Sequence, residues 1–133
     1  MKKGTAITFT AVAAAPATTT FSTGHIALTA AVTGVIALAA AAWRLPRSAW
    51  ADIAAVAILS AASVLAWRLS ANMPQLNDDG QPGFSANDWA APLLTYLFLS
   101  LYADLRPPAD TRRYAQARAL ATLASLAVNV ITI

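Results

Sequence analysis

The side chains that could carry chemistry are few and scattered. The chain has no cysteine and no glutamate, and His25 is its only histidine. Disulfides, thiolate chemistry and multi-histidine metal sites are thereby excluded. The six acids are Asp52, Asp78, Asp79, Asp88, Asp104 and Asp110. There is no glycine-rich phosphate loop, no nucleophile elbow and no H-E-x-x-H pattern. Gln75, Asn77, Asp79 and Gly80 echo the start of a calcium loop, but the pattern fails at both anchors. The first ligand should be Asp and the twelfth Glu, where this chain has Gln75 and Ala86. No catalytic, metal-binding or cofactor-binding residue is therefore assigned, and the chain reads as non-enzymatic.

Four other polar residues admit a functional and a plain reading. Asp52 could be a proton or cation site. Its plainer reading is an acid in the first turn of a helix, favoured by the macrodipole and by Arg44 and Arg47. Asp104 lies beside Arg106 at a helix C-terminal end, where the dipole disfavours it, and reads as an interfacial charge. His25 could sense pH, since histidine titrates near neutrality, but it also suits a boundary position. Asn129 is the most polar side chain inside an apolar stretch, where an amide commonly bonds a neighbouring helix.

The elements that must hold these residues follow from composition. Of 133 residues, 58% are hydrophobic and 11% charged. Soluble domains are about 25% charged, so this chain lacks the means to coat a water-facing surface. The expected class is all-α: a polytopic integral membrane bundle of about four helices. A span needs about 20 mostly apolar residues. Residues 25–43, 49–67, 89–105 and 117–133 meet that test to different degrees. Together they make one transmembrane domain over residues 24–133. Pro92 is expected in the first turn of the third span, where its missing N–H is harmless. The Pro107-Pro108 pair ends that span, and Asp110 or Thr111 could cap a helix starting near Arg112.

Residues 1–23 admit three readings: an external tail, a fifth span, or a signal peptide with Lys2-Lys3 ahead of a short apolar run. The later links are clearer. The Arg44-Leu45-Pro46-Arg47 link is short enough to force an antiparallel hairpin of the first two spans. Residues 69–88 form a longer acidic loop rich in turn signals. Arg44, Arg47, Arg106, Arg112, Arg113 and Arg118 all lie in or beside the first and third links. The positive-inside rule places those links in the cytoplasm and the acidic loop outside. On that reading Lys2 and Lys3 are external, against the rule. Trp43, Trp50, Trp67, Trp89 and Tyr102 fall at span ends, as membrane-interface markers.

The net charge of +3 and pI near 9.8 follow from basic loops and do not argue for nucleic acid. Small residues suggest close helix packing, with Gly34, Ala55, Ser63, Ala121, Ser125 and Asn129 as the packing candidates. The third span is bulky, and lipid is its expected neighbour over much of its girth. No polar cluster is expected at a single depth, and the spans show no polar stripe. The absence of charge from span centres argues against ion-coupled transport. The expected function is an accessory, assembly or scaffold subunit in a bacterial inner membrane, multi-pass, with the bilayer and a homo-oligomer or larger complex as partners. The alternative is a holin-like pore or small oligomeric transporter.

Overall fold

The computed structural model describes residues 20–78, 80 and 84–132, and it is helical throughout, with no strand among them. Four long helices account for most of it: α1 (Thr23–Arg44), α2 (Trp50–Ser70), α4 (Ala86–Leu105) and α5 (Thr111–Thr132). A 3-10 turn (Arg47–Ala49) precedes α2, and one short helix, α3 (Pro74–Asn77), lies between α2 and α4. The competing readings of the amino-terminal segment concern mainly residues 1–19, which lie outside the described residues.

Local chemistry sets the helix ends. Ser22 caps α1 by accepting from the His25 N–H at 3.2 Å. Asp110 does the same for α5, accepting from the Arg113 N–H at 2.9 Å. The start of α4 departs from expectation. Asp88 reaches back to accept the Ser85 N–H at 2.8 Å, a capping contact that begins the helix at Ala86 rather than near Trp89. Pro92 therefore lies inside α4, not in its first turn. It removes the N–H that would bond the Asp88 carbonyl.

The long helices pack in the ring order α1, α2, α4, α5, and α5 closes back on α1. Neighbours run antiparallel, since His25 at the start of α1 meets Thr132 at the end of α5. The expected α1–α2 hairpin forms, and its seam is the most extensive. Gly34 makes it possible. A Cβ there would lie 3.0 Å from Ala61 Cβ and 3.3 Å from the Ala57 carbonyl oxygen, so even a methyl group would push these closely packed backbones apart by a few tenths of an ångström.

Polarity departs from that of a soluble bundle, whose polar residues face outward: the exterior is apolar, and the interior mixes polar groups with apolar side chains such as Ile26, Val56, Val64, Leu99 and Tyr114. Leu28, Val35, Ile58, Leu93, Leu105, Leu123 and Ile131 are all more than 60% exposed. The fully enclosed residues include Thr29, Thr33, Ser60, Ser63, Thr95, Ser125 and Asn129 alongside Ala37, Ala41, Ala117 and Ala121. The expected lack of a polar stripe is thus corrected. Ser63 and Ser125, expected as small packing residues, carry the stripe together with Ser60, Thr29, Thr33 and Thr95, and all face inward. Two helices, Thr23–Arg44 and Arg47–Ser70, are long and apolar enough to cross a membrane.

Candidate functional site

The interior polarity converges on one end of the bundle. Arg68 lies in the last turn of α2 and is 1% exposed. Its Nη2 donates to Asp88 Oδ1 at 2.7 Å, and its Nε donates to Asn129 Oδ1 at 2.8 Å. Three helices therefore meet on one guanidinium: α2 supplies it, α4 the carboxylate, α5 the amide. Asp88 divides its work between its oxygens, Oδ1 holding Arg68 and Oδ2 capping α4. The carboxylate that starts the helix also neutralises the buried cation.

This arrangement corrects two expectations. The acidic loop was bounded at 69–88, yet residues 69–70 belong to α2 and residues 86–88 to α4. Asp88, expected as a loop charge, forms a buried ion pair with Arg68, which lies just ahead of that loop. A polar cluster does converge at one depth. The sequence carried a signal for half of it: Ser85-x-x-Asp88 has the capping-box spacing, with Asp at the last position instead of Glu or Gln.

A ladder of short bonds leads inward from this pair. Asn129 Nδ2 donates to the Ser125 carbonyl at 2.6 Å. Thr95 Oγ1 donates to Ser125 Oγ at 3.1 Å and lies 2.6 Å from Ser63 Oγ. Ser63 donates to the Ser60 carbonyl, and Ser60 to that of Val56. Thr33 and Thr29 make the same bonds one turn back along α1. Hydroxyls that return their proton to the preceding turn are satisfied within their own helix. They can then be buried without the several kcal/mol penalty of an unpaired polar group.

A second relay runs over the same end. Trp67 Nε1 donates to Asn87 Oδ1 at 2.9 Å, and Asn87 Nδ2 donates to the Ala71 carbonyl and to Asn77 Oδ1. Asn77 donates to Asn72 Oδ1. The Asn72 amide then brackets the Phe21 backbone, accepting from its N–H at 2.9 Å and donating to its carbonyl at 2.7 Å. Three asparagines thus tie the ends of α2 and α4, the short α3 and the approach to α1. Trp67, expected only as an interface marker, is half-buried and anchors this relay. His25 Nε2 lies 2.6 Å from the Thr132 carbonyl, and its ring stacks on Phe21.

The opposite end holds the basic residues. Arg47, Arg106, Arg112 and Arg113 are exposed, while Arg44 and Arg118 are half-buried. Arg44 bonds the Gln116 side chain. Arg118 lies over the Tyr96 ring, 4.6 Å from its centre, and donates to Ser100. Asp52 is buried and accepts from the Tyr102 hydroxyl at 2.7 Å, so its partner is a phenol rather than the arginines of the hairpin. Asp104 is exposed. Trp43, Trp50 and Trp89 are 73%, 72% and 56% exposed, whereas Tyr102 is half-buried.

Of the packing candidates, Gly34, Ser63, Ala121, Ser125 and Asn129 are enclosed and Ala55 is half-buried. Ser63, Ser125 and Asn129 belong to the polar ladder as well. On α4, Asn87, Asp88, Ala91, Pro92, Thr95 and Leu99 are buried, so one full face is turned inward. Among the described residues no group of His, Cys, Asp or Glu is arranged to hold a metal ion. Comparison with protein-family models, curated proteins and solved structures finds no match to this chain.

Proposed function

We propose that this chain is a small multi-span membrane protein whose four long helices all cross a bilayer, and that it serves as a non-enzymatic accessory or assembly subunit. The carrying observation is the distribution of polarity, an apolar exterior around an interior that encloses hydroxyls, amides and an ion pair among alanines and larger apolar side chains. In water such an exterior drives aggregation, and in hydrocarbon it is solvated. Two helices qualify as spans on average hydropathy. The averages of α4 and α5 are lowered by polar residues, yet Asn87, Asp88, Thr95, Ser125 and Asn129 face inward. The arginines of α5 all lie within its first eight residues, Thr111 to Arg118, near headgroup depth on this reading.

The arginine-rich end is proposed to face the cytoplasm of a bacterial inner membrane, with the loop between α2 and α4 outside. A subunit role follows from a body closed by its own side-chain bonds, leaving its apolar faces for a second copy or a larger membrane complex. The pore reading draws on the hydroxyl ladder, but those hydroxyls bond one another and their own helices. Expression in bacterial cells separates the two. The subunit reading expects the protein to resist alkaline extraction from membranes, to leave the membrane potential intact, and to co-purify with one defined membrane complex or with itself. Collapse of the potential on expression contradicts it in favour of the pore.

A further inference from the structure

A cavity of about 320 Å³ opens at the arginine-rich end, between the α1–α2 link and the α4–α5 link. Its wall holds one carboxylate and one guanidinium, Asp52 and Arg106, together with Trp50 and Pro107. The two charges form no ion pair with each other. Asp52 is held by the Tyr102 hydroxyl through Oδ1, while Arg106 is exposed. Directly alongside runs an apolar groove of about 340 Å³ on the outer face of α2 and α4, lined by Leu59, Phe98, Leu101, Tyr102 and Leu105. The two spaces adjoin. Tyr102 is in the groove wall and reaches Asp52 in the cavity wall, and Leu105 precedes Arg106 in the chain.

We propose that this seam binds a zwitterionic, amine-bearing phospholipid, phosphatidylethanolamine being the simplest. Its phosphate lies against the Arg106 guanidinium, its ammonium against the Asp52 carboxylate, and one acyl chain along the apolar groove. A purely anionic headgroup fits less well, because a buried carboxylate faces it from the same wall. A headgroup carrying both signs satisfies both charges at once, as charge-assisted bonds. Trp50, 72% exposed at the rim, supplies the amphipathic ring that favours headgroup depth. This proposal rests on the membrane reading above.

The test uses the full chain purified in mild detergent, with lipids added back and retention read by native mass spectrometry. Phosphatidylethanolamine should be retained about tenfold over phosphatidylglycerol, the equivalent of one charge-assisted contact. Asp52→Asn keeps an acceptor for Tyr102 and should abolish that preference. Arg106→Gln, on an exposed side chain, should weaken both lipids together. Soluble phosphoethanolamine should fail to displace the lipid at matched concentration. Equal retention of the two lipids by the unaltered protein overturns the proposal, as does a preference that survives Asp52→Asn or retention of both lipids that Arg106→Gln leaves undiminished. Displacement by phosphoethanolamine overturns the lipid assignment, since the groove then contributes nothing. A chain that fractionates as a soluble protein overturns the membrane reading itself, a failure visible before any lipid is added.

Discussion

The two ends of the bundle handle charge in opposite ways. At one end Arg68 is enclosed, paired with Asp88 and Asn129, and overlaid by a relay of asparagines. At the other, Arg47, Arg106, Arg112 and Arg113 stand free of the core. An isolated buried charge is very unfavourable, so the first end requires every partner in place. An exposed arginine requires nothing of its neighbours. The first end is therefore built for a fixed geometry, and the second for contact with whatever surrounds it. The ion pairs show the same contrast. Arg68–Asp88 is 2.7 Å long and enclosed, whereas Arg113–Asp110 is 3.4 Å long with both side chains about half exposed.

The largest effect should come from breaking the enclosed pair. Asp88→Ala strands Arg68, whose Nη1 already lacks a partner among the described residues, and removes the capping contact of α4. A loss of about 3–5 kcal/mol is expected from the stranded charge, with up to about 1 kcal/mol more from the cap. Unfolding in mixed micelles with increasing denaturing detergent measures it. The double variant Arg68→Met with Asp88→Leu should recover most of that loss, because an apolar replacement of both partners is often neutral. If the double variant is as unstable as Asp88→Ala, the penalty lies elsewhere than in the stranded charge.

Next in size is the close approach on the other side of the bundle. Gly34→Val places a branched side chain against Ala61 and the α2 backbone. A loss of about 1–3 kcal/mol is expected, as for overpacking of a filled core. The same unfolding assay should show Gly34→Ala to be milder, since Ala61 and the Ala57 carbonyl need give by only a few tenths of an ångström. The polar ladder should matter less per bond. Thr95→Val removes contacts to Ser63 and Ser125 and should cost about 0.6–1.7 kcal/mol, the span measured for interhelical hydrogen bonds in membranes. Smallest of all, Arg113→Ala should change stability by less than about 0.5 kcal/mol, because its pair is exposed. A large effect there would contradict the division between the two ends.

Much of this architecture was legible in the sequence, and the reasons differ by residue. The hairpin at Arg44 to Arg47 follows from link length, and the Pro107-Pro108 stop from backbone sterics. Asn129 stood out because an amide in an apolar run needs a partner, although the partner's identity was hidden. Arg68 and Asp88 are 20 residues apart with turn residues between them, so their spacing gives no hint that the chain folds them onto each other. The polar stripe was obscured for another reason. Ser60, Ser63, Thr95 and Ser125 lie on three helices, and only the packing order brings their hydroxyls onto one line. The same uncertainty moved the start of α4, where a loop reading of Ser85 to Asp88 missed a capping contact.

The central claim is that the two ends lie on opposite sides of a bilayer. Because the chain has no native cysteine, single cysteines introduced at Gln75 and at Ala109, both exposed positions, can be probed with a membrane-impermeant thiol reagent in bacterial cells whose outer envelope is open to it. The account predicts that Gln75→Cys is labelled with the inner membrane intact and Ala109→Cys only after that membrane is permeabilised. Labelling of both from the same side of an intact membrane would contradict it.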